Sequence, residues 1–222
     1  MPSPIQAYVF DAYGTLFDVA SPVRRHSQAL GERAQLLADT WRDKQLQYTW
    51  LRTLQGRYAN FEEVTAQALD FALERIGGAD AGLRERLLEA YATPQAYAEV
   101  ESTLRALRAQ GARTAILSNG TERWLHAAVD ASGLRDCFDH VLSVDGLRVF
   151  KPHPAVYGLA EQALDLPAAA ISFQSSNGWD AFSAQAYGMR AVWCNRSGQP
   201  RERLPQTPTH TVSSLDQLLA LA

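Results

Sequence analysis

The chain has 222 residues, 46% of them hydrophobic, and a formal net charge of -3. That length suits one core domain with a modest insertion, and the charge gives no basic excess to favour nucleic acid or an anionic membrane. Two cysteines, Cys137 and Cys194, are too few for a disulfide framework and point to reduced thiols in the cytoplasm. The start Met1-Pro2-Ser3-Pro4 has neither the basic nor the apolar region of a signal peptide. No run of about 18 apolar residues exists to span a membrane.

Residues 5–10 read as a buried strand that runs into Asp11-Ala12-Tyr13-Gly14-Thr15-Leu16-Phe17-Asp18. A carboxylate at the C-terminal tip of a first strand stands where open α/β sheets bind ligands. Residues 22–91 carry no strand signal. Gly56, Asn60 and Gly77-Gly78 divide them into at least three helices, with Pro94 marking the end. This predicts a helical bundle at residues 19–97, inserted into a core made of residues 1–18 and 98–222.

Strand and helix then alternate. Residues 101–110 are predicted helical and 112–117 a strand ending at Ser118-Asn119-Gly120. A helix over 121–131 has Thr121 as its N-cap. Residues 140–143 form a strand, 155–164 a helix behind Pro154, 170–174 a strand ending at Ser175-Ser176-Asn177, 181–187 a helix, and 191–194 a strand. Such alternation predicts an α/β fold, a Rossmann-like parallel sheet core with a helical-bundle cap after the first strand. Asp11, Ser118-Asn119, Lys151 and the segment from Ser175 to Asp180 then meet on one edge of the sheet. The five histidines, His26, His126, His140, His153 and His210, lack the spacing of a metal cluster, and Ser118 has no accompanying His/Asp pattern of a serine hydrolase.

Those four segments, in order, match the motifs of the haloacid dehalogenase superfamily, whose nucleophile is an Asp in an N-terminal D-x-D-x-T-type loop. Over essentially the whole chain the sequence more closely resembles the L-2-haloacid dehalogenases, on FDAYGTLFD, WRDKQLQYTWLRTLQGRYANF, LSNG, FKPHPAVY and SSNGWDAFSA. The second stretch lies in the inserted helices, where superfamily members differ most. The loop departs from the superfamily pattern at Tyr13, where the phosphatases carry a second Asp as general acid. An alkoxide leaves poorly without a proton, whereas a halide is a weak base and leaves unaided. Tyr13, with an ordinary pKa of about 10, is a poor acid at neutral pH. The phosphatases also bind Mg²⁺ through an acid of the fourth motif, and Ser176 stands at that place here. A phosphate dianion beside Asp11 would need the cation; a monoanionic haloacid does not. No metal and no cofactor are therefore expected.

The resemblance implies a role for each matching residue. Asp11 is the nucleophile, attacking C2 with inversion to give an aspartyl ester and free halide. Lys151 keeps it ionised, and Thr15 positions it. Ser118, Asn119 and nearby backbone N–H groups hold the substrate carboxylate, next to Ala12 and Tyr13 of the nucleophile loop. Arg42, from the inserted helices, accepts the halide. Leu46, Phe61 and Trp179 wall the substrate carbon, although each is also an ordinary core residue type. Asp180 activates the hydrolytic water, with Ser175 and Asn177 orienting it, and Tyr157 joins Lys151 and Asp11 in one hydrogen-bond network. Asp43, where relatives often carry an uncharged polar residue, either faces solvent or pairs with Arg42.

The implied enzyme is an (S)-2-haloacid dehalogenase, giving D-2-hydroxy acids from short L-2-haloalkanoates. A superfamily phosphatase, a ring-opening hydrolase of a small carboxylic acid using the same ester chemistry, and a silent binding protein on the same fold are the alternatives. Tyr13 and Ser176 argue against the first, and the joint presence of Asp11, Lys151 and Asp180 against the last. Apolar side chains on the inserted helices, among them Trp41, Tyr48, Trp50, Leu51 and Leu54, suit a homodimer.

Overall fold

The computed structural model describes residues 4–80 and 82–221; the reading of Met1-Pro2-Ser3 as lacking a signal peptide lies outside the described residues. The first strand, β1 (Ala7–Phe10), is buried at all four positions, as a central parallel strand covered on both faces must be. The chain then enters the inserted helices α1 (Ser21–Arg25), α2 (Ser27–Leu30), α3 (Ala34–Gln55), α4 (Phe61–Arg75) and α5 (Leu83–Ala92). Helix α3 runs unbroken for 22 residues and stops at Gly56, whose φ of 62° is left-handed, a conformation glycine takes at no steric cost. Asn60 caps α4, its side-chain oxygen accepting from the Glu63 N–H at 2.9 Å.

The chain returns to the sheet through α6 (Val100–Ala109), β2 (Arg113–Ser118), α7 (Glu122–Ala131), β3 (His140–Ser143), α8 (Pro154–Leu164), β4 (Ile171–Ser175), α9 (Gly178–Tyr187), β5 (Arg190–Cys194) and β6 (His210–Val212). Thr121 caps α7 as its position predicts, and His153 caps α8 through Nδ1, which accepts from the Ala155 N–H at 3.2 Å. Two features differ from the sequence expectation. Helix α9 begins at Gly178, not near residue 181, so Asp180 lies in its first turn. The three-residue strand β6 extends the sheet beyond β5.

All five strand pairs are parallel, in the order β3-β2-β1-β4-β5-β6. β1 therefore has β2 on one side and β4 on the other. The strand order reverses there, which opens a crevice at the C-terminal ends of these strands. The inserted helices leave and rejoin the core through paired linkers: the Asp18 N–H donates to Gln95 O at 2.8 Å and the Tyr97 N–H to Leu16 O at 3.0 Å. A continuous apolar cluster runs from Val9 and Phe10 of the sheet to Leu37, Val64 and Leu69 of the inserted helices. That shared core fixes the helices over the crevice. Among the described residues, no helix is long and apolar enough to cross a membrane.

Candidate active site

Asp11 follows β1 at the mouth of the crevice and is 6% exposed. Its two carboxylate oxygens are held from different sides. Oδ1 lies 3.1 Å from the Lys151 ammonium. Oδ2 accepts from the Thr15 hydroxyl at 3.0 Å and from the Asn177 side-chain amide at 2.8 Å. Thr15 is positioned in turn, because its hydroxyl oxygen accepts the Ser176 N–H at 2.8 Å. The loop closes tightly on itself: the Ala12 carbonyl accepts from the N–H groups of Thr15, Leu16 and Phe17. Ala12 thus shapes the turn that carries the carboxylate.

Lys151, 1% exposed, bridges Asp11 to Asp180, whose Oδ2 lies 2.9 Å from its Nζ. Burial opposes the ammonium charge, yet the two carboxylates hold Lys151 above the ordinary lysine value. Asp180 has no exposed surface. Burial lifts its carboxyl above the usual carboxylate range, with Lys151 pulling the other way. The Tyr157 hydroxyl donates to Asp180 Oδ1 at 2.7 Å. Tyr157 is linked to Lys151 and Asp11 through Asp180. Its own proton is tightly held, because burial and the Asp180 charge both raise it well above the usual phenol value.

Arg42 reaches down from α3. Its Nη2 donates to Asn177 Oδ1 at 2.9 Å and to the Tyr13 carbonyl at 3.2 Å, and its Nη1 to Gln45 Oε1 at 2.8 Å. The inserted helices and the core thus meet at the Asn177 side chain, which also donates to the Tyr13 carbonyl at 3.2 Å. Asn177 grips the nucleophile with its side chain, and its backbone carbonyl accepts the Asp180 N–H at 3.0 Å. Asp43 is exposed and points away from this cluster, so solvent and not Arg42 takes its charge. Gln45 was not singled out from the sequence. It is 1% exposed and joins Arg42, the Tyr91 hydroxyl at 3.0 Å and the Thr65 hydroxyl at 2.7 Å. The available signal was spacing: a position three after Arg42 shares its helix face.

Tyr13, 3% exposed, packs between Tyr91, with ring centroids 5.4 Å apart and nearly parallel, and Phe61 at 5.2 Å. Its hydroxyl has no partner, and desolvation drives its pKa well above 10.0. It cannot serve as an acid at neutral pH. Phe61 is buried against the Tyr13 ring. Trp179 contacts Trp50 edge-on at 5.4 Å and, with Lys151, Trp50, Leu54 and Leu204, lines an apolar pocket of about 410 Å³ beside the cluster. Leu46 is half-buried and borders a different cavity, of about 450 Å³, with Asp43, Trp50 and Arg75.

Ser118 and Asn119, at the end of β2, are buried and serve the backbone: Ser118 Oγ accepts the Gly120 N–H at 3.1 Å, and Asn119 Oδ1 accepts the Lys151 N–H at 2.9 Å. Ser175 Oγ accepts the Asn177 N–H at 3.2 Å. The arrangement suits a buried carboxylate nucleophile paired with one ammonium, with a second carboxylate of raised proton affinity on the same ammonium. It does not suit Mg²⁺. The oxygens of Asp11 are engaged by a lysine, a hydroxyl and an amide, and Ser176 supplies no carboxylate. Among the described residues, no group of three His, Cys, Asp or Glu side chains is placed to hold an ion.

Residues 5–188 match the family model described as haloacid dehalogenase-like hydrolase. The chain is 46% identical over 218 residues, 98% of its length and 94% of the relative's, to an (S)-2-haloacid dehalogenase of Pseudomonas sp. (strain YL). It is 42% identical, over 98% of its length and 97% of the relative's, to haloacetate dehalogenase H-2 of Moraxella sp. (strain B). The solved L-2-haloacid dehalogenase of Xanthobacter autotrophicus with chloropropionic acid covalently bound superposes with a TM-score of 0.91 at 36% identity, covering 98% of each chain.

Proposed function

Because the chain belongs to the haloacid dehalogenase-like hydrolases, we propose that it hydrolyses short L-2-haloalkanoic acids to D-2-hydroxy acids through an ester on Asp11. The observation that carries this is the pairing of Asp11 and Asp180 on one buried ammonium, 3.1 Å and 2.9 Å from Lys151 Nζ, with an aromatic ring at Tyr13 in place of an acid. The relatives named (S)-2-haloacid dehalogenase, and the solved relative with chloropropionic acid covalently bound, support it.

In the first step a carboxylate oxygen of Asp11 attacks C2 in line with the carbon–halogen bond. The bond electrons leave with the halide, C2 inverts, and Asp11 becomes an ester. Lys151 pairs with the nucleophile, and Thr15 and Asn177 fix its orientation, so the reacting atoms meet without further ordering. Arg42 receives the halide, and its bond to Asn177 brings that cation to the nucleophile's side. Ser118, Asn119 and the N–H groups at the start of α7 take the substrate carboxylate. Ala12, Tyr13, Phe61 and Trp179 surround the carbon and limit water, while Leu46 borders the neighbouring cavity.

In the second step a water attacks the ester carbonyl carbon of Asp11. Asp180 takes the water's proton, aided by a proton affinity that burial has raised. Tyr157 and Ser175 hold Asp180 and the 175–177 turn in register. The carbonyl–oxygen bond to the substrate breaks, the hydroxy acid leaves with a proton, and Asp11 is regenerated. No metal or cofactor enters either step.

The division into a core of residues 1–18 and 98–222 and a cap of residues 19–97 is supported by the paired linkers at Asp18–Gln95 and Leu16–Tyr97. The buried free thiols of Cys137 and Cys194 fit work in the cytoplasm. Leu51 and Leu54, 44% and 83% exposed on α3, are the surface we assign to a homodimer.

The test is chloride release from L- and D-2-chloropropionate in EDTA, run beside p-nitrophenyl phosphate hydrolysis with Mg²⁺. Chloride from the L-isomer alone is expected. Phosphatase activity without chloride would overturn the proposal, and inactivity in both assays would favour ring opening or a binding role.

A further inference from the structure

Arg196 lies just beyond β5, outside every motif that the catalytic steps use. Its side chain is only 14% exposed and its guanidinium is engaged on three sides. Nη2 donates to the Thr15 carbonyl at 2.9 Å. Nη1 lies 2.6 Å from Glu99 Oε1. The guanidinium carbon sits 3.9 Å above the centroid of the Tyr97 ring. Thr15 belongs to the nucleophile loop, whereas Tyr97 and Glu99 belong to the linker by which the inserted helices return to the core. The next carbonyl of the loop, that of Leu16, accepts the Tyr97 N–H at 3.0 Å. Two successive carbonyls are therefore held from outside the loop, one by the linker backbone and one by Arg196.

What the clamp governs follows from Thr15. That residue is fully buried, and its hydroxyl donates to Asp11 Oδ2 at 3.0 Å. Displacement of the backbone at Thr15 would carry the hydroxyl off the carboxylate. A guanidinium suits the position because its planar fork serves a carbonyl and a carboxylate at once while its face stacks on an aromatic ring; an ammonium meets only part of that demand.

We infer that Arg196 is a positioning residue for the nucleophile: it fixes the Thr15 carbonyl, hence the hydroxyl that aims Asp11, and fastens the cap's return linker to the same point. This rests on the dehalogenation reading of the site. A misplacement of about 1 Å in reacting groups costs roughly a hundredfold in rate, and the remaining contacts of Asp11 limit the displacement to a fraction of that.

The test is rapid-quench single turnover of L-2-chloropropionate. Arg196→Ala should form the Asp11 ester about tenfold more slowly than the unchanged chain, with KM altered less than about twofold. Methylguanidinium, added as its sulfate so that no product chloride enters, should restore part of the rate by occupying the vacated space. Arg196→Lys should lose about threefold, and it carries the test alone if Arg196→Ala does not fold. Ester formation at the unchanged rate in a folded variant would overturn the inference. So would a loss that appears mainly in KM and ignores methylguanidinium. If the unchanged chain itself forms no ester, the dehalogenation reading fails and takes this inference with it; an active chain with a silent Arg196 defeats the inference only.

Discussion

Asp180 shares the Lys151 ammonium with the nucleophile and accepts the Tyr157 hydroxyl, with no surface open to solvent. A base must be unprotonated to take a proton from water. Since burial raises the Asp180 carboxyl, ester hydrolysis should fall as pH drops through that raised value, above the pH of about 4 at which an ordinary carboxylate titrates. Lys151 acts at the other limit. Held above the ordinary lysine value of about 10.4, it should stay charged past about pH 10, so no alkaline loss from it is expected below that. A pH profile of kcat reads both limbs. Asp180→Asn keeps the side chain's size and an acceptor for Tyr157 but removes the base. Ester hydrolysis should slow by about a hundredfold or more, and intact mass spectrometry should catch the adduct on Asp11. Normal turnover without an adduct would place the base elsewhere. The identities of Asp11, Lys151 and Asp180 were legible in the sequence because motif and strand end coincide. The partners of Asn177 and Tyr157 were not, since hydrogen-bond direction depends on how neighbouring strand ends face one another.

Helix α3 contributes more than an arginine to the site. Gln45, one turn below Arg42, ties α3 to Thr65 of α4 and to Tyr91 of α5. Gln45→Leu is close in volume but leaves the Tyr91 hydroxyl and an Arg42 donor without that acceptor. A buried polar group stripped of its partner costs about 1–3 kcal/mol, so urea unfolding should show a loss of about 2–3 kcal/mol, and kcat/KM should fall with it as Arg42 loosens. Stability within about 0.5 kcal/mol of the unchanged chain would show that Gln45 does not join the three helices. A buried glutamine does not stand out in a sequence, because only packing reveals which polar residue is enclosed. The elements themselves were readable where signals ran long: the helical stretch with its breaks at Gly56 and Asn60, the alternation from α6 onward, and the cap Thr121. Strand β6 carries little sequence signal, being three residues on the sheet's edge with two of them exposed. Helix α9 starts earlier than expected because its first turn uses Gly178, a residue that ordinarily argues against helix.

At the scale of the whole molecule, the sheet order brings the ends of β1, β2 and β4 side by side, and the site is a consequence of that adjacency. The sequence established that several polar strand ends share one edge. It did not establish that β4 lies directly beside β1, the placement that lets Asn177 reach Asp11 at 2.8 Å. The outer face is informative as well. Leu54 is 83% exposed, with Leu36, Leu51 and Phe71 at 45%, 44% and 38%, and stable dimers bury apolar faces of this kind. Sedimentation should give a dimer for the unchanged chain and a monomer for Leu54→Arg. A monomeric unchanged chain at micromolar concentration would remove the dimer assignment.

The ring of Tyr13 rests on Tyr91 and Phe61, and Tyr91 rests in turn on Trp41 and Trp124. An aspartate placed at position 13 would stand in an aromatic cage, short of the space the ring had filled and without water to ionise it. It would be neither well packed nor poised to deliver its proton to a leaving oxygen. An aspartate at position 13 is therefore not enough by itself to supply an acid for phosphate chemistry here. The rings that enclose position 13 come from the inserted helices and from α7 as well as from the loop, so the same packing that disables an acid there also seats the cap.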